Sequence, residues 1–298
     1  MTLIADSGST KTAWCLAEDG NNIIYTQGIN PFQQDEETIC EILRKELMPN
    51  LLTLKRSEFP AIGDHQPSSV YFYGAGCTPE KAPIVASCLK KSVSATAQIH
   101  VASDMLGAAR GACGHDAGFV CILGTGSNSC YYDGEQLHAG IPALGYILGD
   151  EGSGAYIGKR LVGDIFKQQL PQDICQMFFD ETHETQANII QRVYRTPLPN
   201  RYLASLSPFC ARHREHPAIH ALLIDCFTQF FHRNIAPLRQ NMGNTDKTAP
   251  TVHFVGSIAY HYHEELAEAA QQCGYIVGRT LQSPLEGLVD YHKPSLLP

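Results

Sequence analysis

A strand–turn–strand pattern that occurs twice constrains the fold of this 298-residue chain more than any other feature. Segment 3–20 reads LIADSGSTKTAWCLAEDG, and segment 119–134 reads FVCILGTGSNSCYYDG. Each consists of an apolar strand, a turn rich in Gly, Ser and Thr, a second strand and an Asp-Gly turn. We interpret the match as a structural duplication, with two unrelated hairpins as the alternative.

The segments that follow each hairpin predict an α/β fold with mixed sheets. In the first half, 22–28 adds a third strand to an antiparallel meander, and the apolar strands 70–73 and 98–101 flank a helix over 79–91. An earlier helix begins at Asp35, and Pro49 is predicted to end it. Antiparallel strands followed by alternating strands and helices are typical of an α/β domain.

The second half begins after a small, glycine-containing break at 114–118. Its hairpin is followed by a mostly helical region at about 155–250, strands at 252–255 and 275–277, and a helix over 284–291. Since the length also suits two domains, we predict domains at 1–113 and 114–298, with the helical region inserted in the second. Whether the last helix packs back on the first domain is left open.

Composition excludes several classes of partner. The net charge is −8 and basic residues form no run, which argues against nucleic acid and anionic membranes. The eleven cysteines form no CxxC pair, which is typical of buried free thiols in a reducing compartment. No apolar run approaches 18 residues and no signal peptide fits, so we expect a cytoplasmic protein. A homodimer is left open.

The two turns at 7–10 and 124–127 are candidate phosphate cradles. Turns of small residues expose backbone N–H groups with no side chain in the way. One such turn is weak evidence because hairpins need glycine anyway, but two in duplicated positions suit a phosphate chain held from both sides. Asp6 ends the strand before the first turn, where it either holds hydrated Mg²⁺ or merely caps the turn.

Asp104 is the first of two acidic candidates outside the turns. It follows the strand 98–101 and begins a helix, so local sequence allows an N-cap as well as a general base for an attacking hydroxyl. The second candidate is the cluster GDEGSG at 149–154, which enters a helix. Capping explains part of its acidity, but Asp150 and Glu151 between glycines also suit recognition of sugar hydroxyls. Gly256-Ser257 lies at another strand-to-helix junction and could take a base or ribose.

These motifs resemble, in order and spacing, the sugar kinase/heat-shock protein/actin superfamily of ATPases. More narrowly, the chain is similar to the N-acetylglucosamine kinase family within the BadF/BadG-type ATPases. The motifs that carry the resemblance are LIADSGSTKT (3–12), ASD (102–104), ILGTGSNS (122–129), GYILGDEGSG (145–154) and FVGSIA (254–259). The resemblance implies two ribonuclease H-like (actin-like ATPase) domains, each with a mixed five-stranded sheet and flanking helices, around a central cleft that binds ATP and Mg²⁺.

The resemblance also implies roles for single residues. Asp104 would be the base that activates the 6-hydroxyl of the sugar, and Asp6 would bind the metal. The residues implied for ATP are Gly8, Ser9, Thr10, Lys11, Thr125, Gly126, Gly256 and Ser257. The residues implied for the sugar are Asn30, Asp104, Ser127, Asn128, Ala143, Leu144 and Asp150.

Two departures from the family pattern bear on the substrate. Animal N-acetylglucosamine kinases have Gly-Trp where this chain has Ala143-Leu144, and Trp where it has Phe32. We therefore predict an ATP-dependent kinase for the 6-hydroxyl of an amino sugar, with N-acetylglucosamine first and glucosamine or N-acetylmuramic acid as alternatives. A BadF-type ATPase without a sugar substrate is the other alternative. It would need a cysteine-held cluster, whereas a sugar-responsive repressor on this fold would need an N-terminal helix-turn-helix.

Overall fold

The computed structural model describes residues 1–8, 10–18, 22–58, 66–138, 140–243 and 249–293, with the backbone alone at 55–58. The chain forms two compact units. The first comprises Met1–Asp116, Gly134–Gln136 and Ser283–Pro298, and the second comprises Ala117–Asp133 and Leu137–Gln282. The chain therefore leaves the first unit after its first hundred or so residues and returns to it at the C-terminus.

The first unit contains a mixed five-stranded sheet. Its strands are β1 (Thr2–Ser7), β2 (Lys11–Leu16), β3 (Ile24–Gln27), β4 (Ser69–Gly74) and β5 (Gln98–Ser103), in the order β3-β2-β1-β4-β5. The first three form the predicted antiparallel meander, and β4 and β5 run parallel to β1. The parallel strands end level, because Ser7 pairs with Gly74 and Gly74 pairs with Ser103.

The second unit repeats this arrangement. Its strands are β6 (Gly118–Leu123), β7 (Ser127–Tyr132), β8 (Leu137–His138), β9 (Thr251–Val255) and β10 (Ile276–Leu281), in the order β10-β9-β6-β7-β8. β6 is antiparallel to β7 and parallel to β9, as β1 is to β2 and β4. The predicted fold of two mixed five-stranded sheets with flanking helices, and the duplication behind it, are confirmed.

Helices cover the sheets and fill the long segment between β8 and β9. In the first unit they are α1 (Glu36–Ile42), α2 (Met48–Glu58), α3 (Ala82–Ser92) and α4 (Asp104–Cys113). In the second they are α5 (Gly145–Leu148), α6 (Gly154–Phe166), α7 (Gln172–Thr182), α8 (Gln186–Tyr194), α9 (Pro199–Ser205), α10 (Ser207–Arg212), α11 (Pro217–Phe230), α12 (Ala236–Asn241), α13 (Ser257–His261) and α14 (His263–Gln272). The last helix, α15 (Leu285–His292), belongs to the first unit. No helix among the described residues has the length and apolar character to cross a bilayer.

Successive residues of β1 point to opposite faces of the first sheet, and helices bury both faces. Leu3 packs in a cluster with residues of α1 and α3, whereas its neighbour Ile4 packs in a second cluster with Leu285 and Leu288 of α15. The C-terminal helix therefore completes the core of the first unit. All eleven cysteines are free thiols and nine are buried, as the sequence predicted.

The prediction that Pro49 ends the first helix is wrong. A π-turn at Leu43–Leu47 joins α1 to α2, and the N–H of Met48 bonds to the carbonyl of Leu43, five residues earlier. Proline lacks the N–H that an α-helix would use and clashes with the preceding turn, and the wider π-turn placed just before it accommodates the ring. The same solution recurs at Phe231–Ile235, just before Pro237.

A polar aromatic stack holds α15 on the sheet. The guanidinium of Arg110 donates to the hydroxyl of Tyr73 at 2.8 Å, and the same hydroxyl is hydrogen-bonded to Nε2 of His292, also at 2.8 Å. His292 stacks on Tyr71 with ring centroids 3.8 Å apart, and Tyr71 stacks on His100. Burial, followed by the charges of Arg110 and His100, lowers the pKa of His292 to about 4.

We expect the neutral His292 to make folding pH-dependent. The unfolded chain takes up this proton near pH 6.5 and the folded chain only near pH 4, so the free energy of unfolding should fall as pH drops through that window. The expected contribution is about 2 kcal/mol after allowance for solvent screening. Urea unfolding of wild type and His292→Gln at several pH values measures it. The variant should lose less stability between these two pH values, and an equal loss in both proteins would contradict this.

Candidate active site

The carboxyl edge of the first sheet brings two acidic residues together. Asp6 is the next-to-last residue of β1, and Asp104 directly follows β5, two strands away and so about 10 Å across the sheet. Oδ2 of Asp6 accepts a hydrogen bond from the Ser283 hydroxyl at 3.0 Å. Burial raises the pKa of Asp6 to about 6, and the charge of Asp104 adds to this shift against the Ser283 bond and Lys11.

Asp104 is not the N-cap of α4. That position belongs to Ser103, whose side chain accepts from the N–H of Leu106. Asp104 occupies the next position, where its Oδ1 accepts from the N–H of Met105 at 2.9 Å. Burial raises the pKa of Asp104 above its ordinary value, opposed by backbone N–H groups. A carboxylate released from capping and with a raised pKa has the properties of a general base.

The first glycine-containing turn lies at the same edge. The N–H of Gly8 bonds to the carbonyl of Lys11 at 3.0 Å, and the carbonyl of Thr10 accepts from Gly28 at 3.0 Å. Thr10 and Lys11 are exposed, and a Cβ added at Gly8 would approach no atom more closely than 3.8 Å. Ser9, predicted to bind ATP, lies outside the described residues.

Asn30, which follows β3, is fixed by hydrogen bonds within its own loop and packs against the loop that follows β4. Its Oδ1 accepts from the N–H of Phe32 at 3.0 Å, and its own N–H bonds to the Gln34 side chain at 2.9 Å. Gly76, with φ +77°, must remain glycine because an added Cβ would lie 2.4 Å from Oδ1 of Asn30. The buried Asn30 thus presents its amide group in a defined orientation.

In the second unit, the turn after β6 contacts the N-terminal ends of two helices, α6 and α13. The carbonyls of Gly124 and Thr125 accept from the first residues of α6, at 2.9 and 3.1 Å. Gly256, which precedes α13, has φ +121° and packs so closely that an added Cβ would lie 2.3 Å from the carbonyl of Leu123. Ser257 follows and is exposed. The structure therefore places in one region four of the residues that the resemblance implies for ATP, namely Thr125, Gly126, Gly256 and Ser257.

Asp150 organises a pocket in the second unit. It has φ 59°, a left-handed conformation that is uncommon for a residue other than glycine. Its Oδ1 accepts from the N–H of Ser127 at 3.2 Å, and burial raises its pKa. Gly126 lies so close that an added Cβ would approach Oδ2 of Asp150 to 2.9 Å. Asn128 bonds locally, its Oδ1 accepting from Ser129. The pocket is lined by Ser127, Ile141, Pro142, Ala143, Leu144, Leu148, Gly149, Asp150, Glu151, Arg233 and Asn234.

Comparison with known proteins identifies the chain's relatives. The sequence matches no protein-family model and no curated protein. A solved structure from Porphyromonas gingivalis, provisionally named an N-acetylglucosamine kinase, is 46% identical, covers 98% of this chain and 98% of its own, and superposes with a TM-score of 0.87. The chain belongs to the N-acetylglucosamine kinase family.

More distant structures share the fold. A protein from Chromobacterium violaceum with the same provisional name is 19% identical, with a TM-score of 0.67 over 97% of this chain and 98% of its own. A ROK family glucokinase from Streptomyces griseus, solved with glucose and AMPPNP, is 13% identical, with a TM-score of 0.52 over 97% of each chain. At these identities the likeness supports the actin-like fold alone.

The residues of this N-acetylglucosamine kinase family member fit the ligands that the family implies. Within the described part of the chain, Oδ1 of Asp6 finds no hydrogen-bond donor, which leaves a hard oxygen ligand of the kind that Mg²⁺ prefers. A Cβ added at Gly124 would meet nothing within 4 Å, which leaves space for a phosphate at that turn, while the N–H of Gly124 itself donates to the carbonyl of Gly126 at 3.0 Å.

Several residues of these sites had not been predicted. Ser283, which contacts Asp6, stands 277 positions away in sequence, in a segment without any motif. Arg233 and Asn234 reach the pocket from the helical segment between β8 and β9, to which the motifs gave no role. Glu151 was considered, together with Asp150, for recognition of sugar hydroxyls, but its contacts with Arg233 and Asn234 had not been predicted.

Proposed function

We propose that this protein transfers the γ-phosphoryl group of ATP to the 6-hydroxyl of an amino sugar, with N-acetylglucosamine as the first candidate. The observation that carries the proposal is the state of Asp104, a carboxylate at the same sheet edge as Asp6 that is not needed to cap its helix. The 46% identity to the Porphyromonas gingivalis protein supports the substrate class.

Asp104 is the proposed base. As the sugar oxygen attacks, Asp104 would accept the hydroxyl proton, and the bond from Met105 would keep its carboxylate oriented. The raised pKa moves the base closer to the working pH, where proton acceptance is more favourable. Base catalysis of this kind contributes about 10²- to 10⁴-fold to a rate.

The two turns are proposed to bind the phosphates of ATP, and Asp6 is proposed to bind the metal. The backbone N–H groups and small side chains of the turns, with Thr10, Lys11, Thr125 and Gly126, are proposed to bind phosphate oxygens. Asp6 is proposed to hold Mg²⁺, which neutralises charge on the phosphates when bound. Gly256 and Ser257 are the proposed adenosine contacts, because both lie next to the second turn.

The sugar is assigned to the Asp150 pocket and to Asn30. The buried carboxylate of Asp150 and the groups of Ser127 and Asn128 suit hydroxyl recognition, whereas Ala143 and Leu144 offer an apolar wall. An apolar wall suits the methyl of an N-acetyl group better than the charged amine of glucosamine. N-acetylglucosamine is therefore ranked above glucosamine.

The site of phosphorylation provides the test. The protein is incubated with ATP, Mg²⁺ and N-acetylglucosamine, and phosphorus–proton correlation NMR locates the new phosphate ester. The proposal predicts an ester at C6 and no product from the 6-deoxy analogue, which should instead inhibit competitively. An ester at C1, or turnover of the 6-deoxy analogue, would contradict it.

A further inference from the structure

Glu151, the residue after Asp150, has both carboxylate oxygens engaged by one turn of the helical segment. Oε1 lies 2.6 Å from Nε of Arg233, and Oε2 accepts from Nδ2 of Asn234 at 3.3 Å. The Glu151 side chain is only 9% exposed, whereas that of Arg233 is 60% exposed. A buried carboxylate requires such partners, because an unpaired charge in this environment is costly.

The backbone beside Glu151 is conformationally constrained. Asp150 has φ 59° and Gly152 has φ 72°, so left-handed residues flank Glu151 on both sides. An added Cβ at Gly152 would lie 3.0 Å from the Cβ of Phe230, the last residue of α11. A residue other than glycine keeps a left-handed backbone conformation only when its surroundings hold it, and this applies to Asp150. The loop 149–152 therefore packs against the end of α11, and Glu151 makes its contacts at this place.

The partners of Glu151 come from the second π-turn. Arg233 and Asn234 are consecutive residues of the turn Phe231–Ile235, where the N–H of Ala236 bonds to the carbonyl of Phe231. π-Turns inside α-helices occur frequently at functional sites. This one lets two neighbouring side chains reach the same carboxylate and line the same pocket.

We infer that Glu151 is a positioning residue: through Arg233 and Asn234 it ties the loop to the π-turn and holds Asp150 in the orientation that binds the sugar. The inference rests on the proposed function for its sugar. Asp150 is the group that would touch the sugar hydroxyls, and its Oδ1 also orders the N–H of Ser127. Loss of the contact between Glu151 and Arg233 should weaken sugar binding and leave the proposed phosphoryl-transfer groups of the other unit intact.

Steady-state kinetics of five variants tests this inference. Glu151→Gln and Arg233→Gln are each expected to raise KM for the sugar about tenfold or more, with kcat and the KM for ATP within about twofold. The double variant should be no worse than either single one, because both remove the same contact. Arg233→Lys, which keeps the charge, should recover part of the loss. The matched control is Arg212→Gln, which breaks another Arg–Glu pair of the same unit, with its closest contact at 2.7 Å to Glu181, and should leave KM unchanged.

Hydrogen–deuterium exchange of the ligand-free protein gives a second readout that needs no substrate. The amide of Ser127 should exchange about tenfold faster in Arg233→Gln than in wild type or Arg212→Gln, because its acceptor on Asp150 is no longer held. An unchanged Ser127 amide, or losses of sugar affinity that multiply in the double variant, would overturn the inference. If wild type phosphorylates no amino sugar, the proposed function fails, and the exchange comparison still decides this inference.

Discussion

Replacing Asp104 with Asn is expected to lower kcat about 10³-fold while ATP binding stays within about twofold. The amide oxygen of Asn can still accept a hydrogen bond from the N–H of Met105, which lies 2.9 Å from Oδ1 of Asp104 in the wild type. The Ser103 cap is unchanged. What the variant loses is the ability to take a proton. Initial-rate kinetics and calorimetric titration with ATP measure the two quantities separately.

A neighbouring variant separates the two roles that the sequence left open at this helix. Ser103→Ala removes the N-cap and should cost about 1 kcal/mol of stability, yet keep most of the turnover, since the base remains. Asp104→Asn should show the opposite pattern. Retention of turnover within about tenfold in Asp104→Asn would mean that another group is the base.

Two glycines of α6 are expected to respond to alanine with opposite signs. A Cβ at Gly158 would lie 1.9 Å from the backbone carbonyl of Leu203, so α9 must move, and we expect a loss of about 3 kcal/mol. A Cβ at the exposed Gly163 would meet nothing within 4 Å, and there alanine should add about 0.5–1 kcal/mol through helix propensity.

Urea unfolding of the two variants measures this difference directly. Because α6 begins immediately after the loop that carries Asp150, the close contact with α9 supports the Asp150 pocket, where the sugar is proposed to bind, as well as the core. Gly158→Ala should therefore also raise KM for the sugar at temperatures where the protein remains folded. Equal stability changes in the two variants would show that α6 and α9 are not packed at backbone contact.

The repeated hairpin made most of the fold predictable. Strand ends, turn glycines and the order of elements follow from local patterns of apolar and small residues, which is why the sheets could be anticipated. That Thr125 and Gly256 share one region was implied by the family resemblance alone. Local sequence located Asp104 but did not separate an N-cap from a base, and only the family resemblance favoured the base. The structure assigns the cap to Ser103.

The remaining features depend on contacts that local sequence does not encode. Ser283 reaches Asp6 only because α15 returns to the first unit. Arg233 pairs with Glu151 across 82 positions, and its place depends on a π-turn that has no simple periodic signature. Pro49 misled the helix prediction for the same reason, since a π-turn accommodated a residue that normally ends helices.

A coupled ADP-release assay tests the central claim most directly. Rates are compared for N-acetylglucosamine, glucosamine, N-acetylmuramic acid, glucose and no sugar, each with ATP and Mg²⁺. The proposed kinase predicts a rate with one amino sugar at least about tenfold above the rate without sugar, since the site must discriminate by hydrogen bonds to its substrate. Equal rates in all five reactions would contradict the account and leave a plain ATPase.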